Sequence, residues 1–543
     1  MRFPVRFGLA LLVLMTSAAR ADVKLPALFS DHMVLQRDKA VPVWGWADPG
    51  EQVTLKIGDR SAVAIAGMDG KWMARLDALS VSSEPTTLTL VGKNTIEIKD
   101  VLVGDVWICS GQSNMGYPVG GVSNGQEEVK KIKDDELRLF LVEGKVGFEA
   151  QADCKGVWQR ANASSALNFS AVAYYFGRDL RTAITIPVGL IATSMGGSSA
   201  QSWTSRQGLE LEPAAKPLLD AYDRDLPKLK AATEKYYNET LPAFKIAMAE
   251  WRKANDDADK QWQVDIKAAQ AAGKELPPKP KPAPNRPQIN AAPNRMTPMT
   301  LNSSMLQPLL PVSIKGIAWY QGENNAGQSR LYGALFKSMI ADWRKAFGQG
   351  DVPFLFVQLS LGAKVWPPAD YPQYAWIREA QLKVLDNVSN TGMAVSFDVG
   401  DPLDVHYKNK QPVGERLALV ARKLVYGQDV PFSGPIFESI DFSNGKARAK
   451  FKFADGLSAG VPREHASAQL TPSEPLKDFM IAGADGKFVS AEAKIDGDEL
   501  IISASAVPNP VAVRYAWSDN PSGNLYNRHG LPASPFRTDQ WEK

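Results

Sequence analysis

Between residues 101 and about 430 the chain repeats one pattern, a short apolar run followed by a stretch of helix-forming residues. The runs are "DVWICS", "PVGLIATS", "IKGIAWYQ" and "VPFLFVQL", and "AVAYYFGRDLRTA" typifies what separates them. A strand that is apolar on both faces must be covered on both faces, and parallel neighbours need a crossover long enough to hold a helix. The pattern therefore predicts an α/β domain with a parallel sheet flanked by helices. In such domains site residues gather at the C-terminal ends of the strands.

At 543 residues the chain exceeds what one hydrophobic core organises. Residues 22–100 read as an N-terminal β domain: short alternating segments such as "TTLTLVGKNTIEIKD" are broken by turn residues at Asp48-Pro49-Gly50 and Asp69-Gly70. Residues 431–543 return to strand-like segments ("KARAKFKFADG", "ELIISASAV", "PVAVRYAW") and predict a C-terminal β, sandwich-like region. Within the α/β domain, residues from about 205 to 295 are rich in Ala, Lys, Glu and Asp and read as a helical insertion. Pro242 is expected to break it into a hairpin, and "PPKPKPAPNRP" to close it as an extended linker.

Residues 1–21 look like an export signal, with a basic "MRFPVRF", an apolar "GLALLVLMTSAA" and the small-x-small pattern Ala19-Arg20-Ala21. The apolar run is too short for a transmembrane helix, which needs roughly 20 residues. The expected location is periplasmic or secreted, with no membrane association after cleavage. Only Cys109 and Cys154 are present, so there is no disulfide framework, although an oxidising compartment permits one bridge between them. Two cysteines and four scattered histidines offer no metal-ligand spacing. With 62 basic and 59 acidic residues the net charge of +3 argues against nucleic acid as a partner. Nothing in the sequence fixes an oligomeric state.

The stretch "VWICSGQSNMG" carries an apolar strand into a polar turn at Ser113. A serine hydroxyl becomes a nucleophile when a neighbouring base accepts its proton. Of the imidazoles His32, His406, His465 and His529, His406 is the one in an acidic loop between a strand-like "GMAVSFDV" and an amphipathic helix. Asp404, Asp401 and Asp398 lie just upstream, and any of them could orient the imidazole as the third group of a triad. Acyl transfer also needs donors for a developing oxyanion. Gly196-Gly197 in "ATSMGGSSAQSW" offers backbone N–H groups, while Gln321 and Asn324 in "IAWYQGENNAG" offer side-chain amides, with Glu323 between them. Tyr117, Trp203, Trp319, Tyr320 and Trp366 flank these blocks as candidates for stacking on a sugar, Trp203 and Trp319 foremost.

Taken in chain order, "GDVWICSGQSNM", "SMGGSSAQSW", "GIAWYQGENNA", "DVGDPLDVHYKNKQPVGERLAL" and "VRYAWSDNPSGNLYNRHGLPASPFRTD" resemble the SGNH (GDSL-like) hydrolase superfamily, and within it the sialate O-acetylesterases and related carbohydrate acetylesterases. The resemblance implies an SGNH-hydrolase-like fold, Ser113 as nucleophile and His406 as base. It further implies a backbone donor at Gly197 (or Gly196), an amide donor at Asn324 or Gln321, and an acetylated saccharide as substrate, with no cofactor. Many superfamily members carry the aspartate three residues before the histidine, where this chain has Leu403. Asp404 is the expected acid, with Asp401, Asp398 or a plain Ser–His dyad left open. O-acetylated sialic acid and plant cell-wall glycans such as xylan or xyloglucan both fit the resemblance. The competing reading is a non-catalytic carbohydrate-binding protein.

Overall fold

A computed structural model describes residues 22–272, 274–275, 277–278, 294–362, 372–461, 471–472 and 475–541. The signal-like segment 1–21, most of the proline-rich linker, Trp366 and His465 lie outside the described residues.

The strands that read as apolar on both faces form one sheet. It consists of β1 (Thr95–Gly111), β2 (Lys133–Leu141), β3 (Trp158–Asn162), β4 (Val188–Ser194), β5 (Gly316–Tyr320), β6 (Phe354–Val357) and β7 (Thr391–Ala394), in the order β7-β6-β5-β1-β4-β2-β3. All neighbours are parallel except β2 and β3. Val106, Trp107, Ile108 and Cys109 of β1 are buried, as is all of β5, because helices cover both faces. Those helices include α1 (Ala171–Ile184), α2 (Ser329–Phe347), α3 (Gln373–Asn387) and α4 (Gln411–Leu424). Helix α1 starts at Ser170, whose hydroxyl accepts the Ala173 N–H, and α4 carries Pro412 in its first turn, where the missing N–H costs nothing.

Strand β1 is central, and it also leaves the sheet. Its first half pairs antiparallel with Ser82–Val91 of the N-terminal β region, with Leu88 opposite Ile98 and Leu90 opposite Ile96. The antiparallel register is interrupted at Asp100, a residue with φ +57°, between the pairs Leu88–Ile98 and Thr86–Val101. Burial raises the Asp100 carboxyl, but hydrogen bonds from Arg138 and His32, with Arg138's charge and a bond from Arg160, outweigh it and hold the group at about 2. Beyond 431 the chain forms antiparallel sheets, one of them Ile436–Ser443, Lys446–Lys452, Glu499–Ser503 and Glu492–Asp496.

One expectation needs correction, and one open question is answered. The insertion is no hairpin at Pro242: helix Lys216–Lys235 runs through a π-type turn, Tyr236–Thr240, into helix Leu241–Ala271. The wider turn directly before Pro242 relieves the clash that the ring would make in a regular helix. Cys109 and Cys154 are both free thiols. Cys109 is sealed inside the central strand, and burial pushes the Cys154 thiol up to about 12.

Candidate active site

Four strand ends converge at the C-terminal edge of the sheet. Ser110 of β1 lies in register with Thr193 of β4 and Trp319 of β5, and Gly111 with Ser194 and Tyr320. Gly111 has φ +140°, and a Cβ there would stand 2.0 Å from the Tyr320 carbonyl oxygen, so only glycine lets the chain turn this close to its neighbour. One helical turn follows, Ser113–Gly116, and Ser113 stands at its start, half-buried. The Gln112 side chain is buried, and its Oε1 accepts the N–H groups of Gly322 and Asn324 at 3.4 and 3.3 Å. The Ser113 turn is thereby fastened to the block after β5.

The loop after β7 brings His406 to this edge. Its Nε2 lies 2.9 Å from Ser113 Oγ, across 293 residues of sequence. The three upstream aspartates hold the loop in different ways. Asp398 is buried against Arg416 at 2.6 and 2.7 Å and takes a bond from Tyr526. Asp401 accepts the Leu403 N–H at 2.8 Å. Asp404 differs from expectation, because its Oδ1 accepts the main-chain N–H of His406 at 2.8 Å, and among the described residues no carboxylate is bonded to the His406 ring. Asp404 therefore sets the backbone that carries the imidazole.

Gly197 has φ +69°, and its carbonyl accepts one amide hydrogen of Asn324 at 2.7 Å. The second Asn324 hydrogen and the N–H groups of Ser113 and Gly197 have no acceptor among the described residues. Three uncommitted donors thus lie on the segments that carry Ser113, Gly197 and Asn324, groups of the kind that bind an oxyanion. Gln321 is not among them. It is fully buried and gives its amide hydrogens to the Ser198 carbonyl at 3.1 Å and to Asn325 Oδ1 at 2.8 Å. Asn325 in turn accepts the Ala200 N–H and donates to Gln201, which locks the glycine loop to the amide block.

Residues 103–268 and 298–423 match the carbohydrate esterase family described as sialic acid-specific acetylesterase. The sialate O-acetylesterase of Rattus norvegicus is 27% identical, with 98% of each chain covered, and that of Homo sapiens is 27% identical, covering 97% of this chain and 95% of the human one. A solved structure of a carbohydrate acetylesterase from Xanthomonas citri is 32% identical, with a TM-score of 0.74 and coverage of 96% of this chain and 100% of that one. The chain belongs to this family.

Two ionisable side chains enclosed behind Ser113 are linked through Asn114. Lys410 Nζ donates to Asn114 Oδ1 at 2.5 Å and sits 3.3 Å above the Tyr407 ring. Asn114 Nδ2 donates to Glu323 Oε1 at 2.5 Å and to the Val405 carbonyl at 3.0 Å, joining the Ser113 turn to the His406 loop. Burial drives Lys410 well below its ordinary pKa, partly offset by Glu323 and Asp404. Burial raises Glu323, whose Oε2 is enclosed without a partner among the described residues. Asn114 is visible in the sequence only as a turn residue, and Lys410 gave no signal, since a lysine in a polar loop reads as solvated.

The aromatic expectation fails for a packing reason. Trp203 and Trp319 are fully buried, 6.0 Å apart edge to face, with Trp343 closing the cluster. Neither can stack on a sugar. Tyr320 is likewise buried and donates to or accepts from Tyr407 at 2.8 Å, while Tyr117 keeps some exposed surface. His32 pairs with Asp100, and His529 stands 3.5 Å from Asp455, both away from the site.

Proposed function

We propose that this chain is an exported serine esterase that removes O-acetyl groups from carbohydrates through an acyl-enzyme on Ser113. The observation that carries the reading is the 2.9 Å approach of His406 Nε2 to Ser113 Oγ at the sheet edge. His406 Nε2 takes the hydroxyl proton as Oγ bonds to the acetyl carbonyl carbon. The negative oxygen is met by the N–H groups of Ser113 and Gly197 and by the Asn324 amide. His406 returns the proton to the departing sugar oxygen as the ester bond breaks. Water, deprotonated by the same imidazole, then attacks the acyl carbon, and acetate leaves as Oγ regains its proton. With no acid on the ring among the described residues, Ser113 and His406 act as a dyad, and Asp404 positions the imidazole through the backbone.

Acetylated sialic acid is a candidate substrate supported by the family description, and the Xanthomonas citri carbohydrate acetylesterase supports an acetylated carbohydrate more broadly; acetylated plant cell-wall glycans such as xylan or xyloglucan are the other candidates, carried by the sequence resemblance. Export to the periplasm or medium is supported by the signal-like residues 1–21. Among the described residues no helix is long and apolar enough to cross a membrane. The test is acetate release from O-acetylated sialosides, acetylxylan and acetylated xyloglucan by the wild type beside Ser113→Ala. The variant should fold and lose turnover by on the order of 10⁴-fold or more. Wild-type rates in S113A would end the reading.

A further inference from the structure

An exposed arginine stands on the rim of the acyl site. Residues 294–297 form a tight turn in which Asn294 Oδ1 accepts the Met296 N–H at 2.8 Å and Asn294 N–H donates to Thr297 Oγ1 at 3.1 Å. Ser199, next to the glycine loop, ties this turn down by donating its N–H to the Arg295 carbonyl and its hydroxyl to the Met296 carbonyl. The Arg295 side chain folds back over the glycines, with Nη1 donating to the Gly196 carbonyl at 2.5 Å. A methyl group at Gly196 would stand 3.4 Å from Ser113 Cβ and 3.8 Å from Arg295 Nη1. The guanidinium and the nucleophile thus flank one methyl-sized space.

The charge of this guanidinium is uncompensated. Among the described residues Arg295 has no ion-pair partner, and only one of its five N–H donors is committed. The other charges at the site are enclosed or in use: Lys410 and Glu323 bracket Asn114, and Asp404 holds the His406 N–H. A planar fork of donors held through one Nη1 hydrogen, on an exposed side chain with its other hydrogens uncommitted among the described residues, matches the two oxygens of a carboxylate. The short span to Ser113 limits where that carboxylate sits, on the same sugar as the acetyl ester or on the adjoining ring.

We propose that Arg295 is a specificity-determining residue that receives a sugar carboxylate, so that the esterase selects O-acetylated acidic sugars over neutral ones. This rests on the reading of Ser113 and His406 as the acyl site. The experiment compares kcat/KM for two acidic probes, O-acetylated N-acetylneuraminic acid and an O-acetylated methyl glucuronide, each beside its own uncharged carboxamide. In the wild type at least one acid should exceed its amide by about 10- to 100-fold, a charge-assisted hydrogen-bond contribution. In Arg295→Gln that ratio should fall towards one through KM, whatever the absolute rates, and in Arg295→Lys part of it should remain. Equal wild-type rates on acid and amide in both pairs, or an undiminished ratio in R295Q, overturn the proposal. Hydrolysis of 4-nitrophenyl acetate by the wild type and its loss in S113A check the underlying reading separately.

Discussion

Lys410 and Glu323 are joined through the side chain of Asn114, which accepts from one and donates to the other at 2.5 Å. The residue that bridges these two enclosed side chains is the one after Ser113. A third bond, to the Val405 carbonyl, attaches the same side chain to the residue before His406. Three segments distant in sequence are thus registered by one amide.

Asn114→Ala should therefore affect both stability and rate. Removing the bridge leaves the enclosed Lys410 and Glu323 side chains each short of a hydrogen-bond partner, a loss of about 1–3 kcal/mol. Loosening the registry of Ser113 and His406 should lower kcat on 4-nitrophenyl acetate by on the order of 10²-fold. Chemical denaturation and steady-state kinetics on the same preparation check the pair, and an unchanged kcat would show that the bridge does not position the nucleophile.

Asp404→Asn tests how the histidine is oriented. Where an aspartate bonds the imidazole ring, the asparagine variant loses roughly 10⁴ in kcat, because the amide favours the wrong tautomer. Here the carboxylate accepts a main-chain N–H, which an amide oxygen also does, so the loss should stay within roughly tenfold, with Asp404→Ala more damaging than D404N. A loss near 10⁴ in D404N would mean that the carboxylate swings onto the ring during turnover.

Asn324→Ala and Gln321→Ala should separate cleanly. Asn324 has an uncommitted hydrogen beside Gly197, so its removal should lower kcat by about 10²–10³ with little change in KM. Gln321 supports Ser198 and Asn325 from within the core, so its loss should appear mainly as a lower melting temperature. The reverse ranking of the two kcat values would exchange their roles.

Asp100 makes a prediction about acid. Its folded pKa of about 2 lies below the ordinary carboxyl value, so its stabilising contribution is complete above that ordinary value and disappears as pH falls towards 2. Asp100→Asn keeps a residue tolerant of positive φ but removes the charge that Arg138, Arg160 and His32 share. At pH 7 the variant should be less stable by about 1–3 kcal/mol. The gap to wild type should close between pH 4 and pH 2, read by denaturation at each pH. A gap that is constant with pH would assign the role to shape alone.

Much of this arrangement is legible in the sequence because of one property, apolarity on both faces. It marks β1, β4, β5 and β6, and a parallel sheet then places the turns at Ser113, Gly196 and Asn324 on one edge. Direction at a strand's end is not legible: Gln321 and Asn324 are three residues apart with similar amides, yet one faces the core and the other the glycine loop. Burial of Trp203 and Trp319 is also hidden, because an aromatic residue beside a motif reads the same whether it meets a sugar or Trp343. Lys410 is hidden for a related reason, since what desolvates it (Tyr117, Tyr407 and the Asn114 bridge) comes partly from residues nearly 300 positions away.

Strand β1 ends at Gly111, two residues before Ser113, but it begins in another layer of the molecule, paired with Ser82–Val91. A cut near residue 100 would sever a single continuous beam and leave its exposed stump beside Leu88 and Leu90. The N-terminal β layer is thus not a detachable module. Any truncated or chimeric version of this esterase must carry the whole strand together with its antiparallel neighbour, or the turn bearing Ser113 loses its footing.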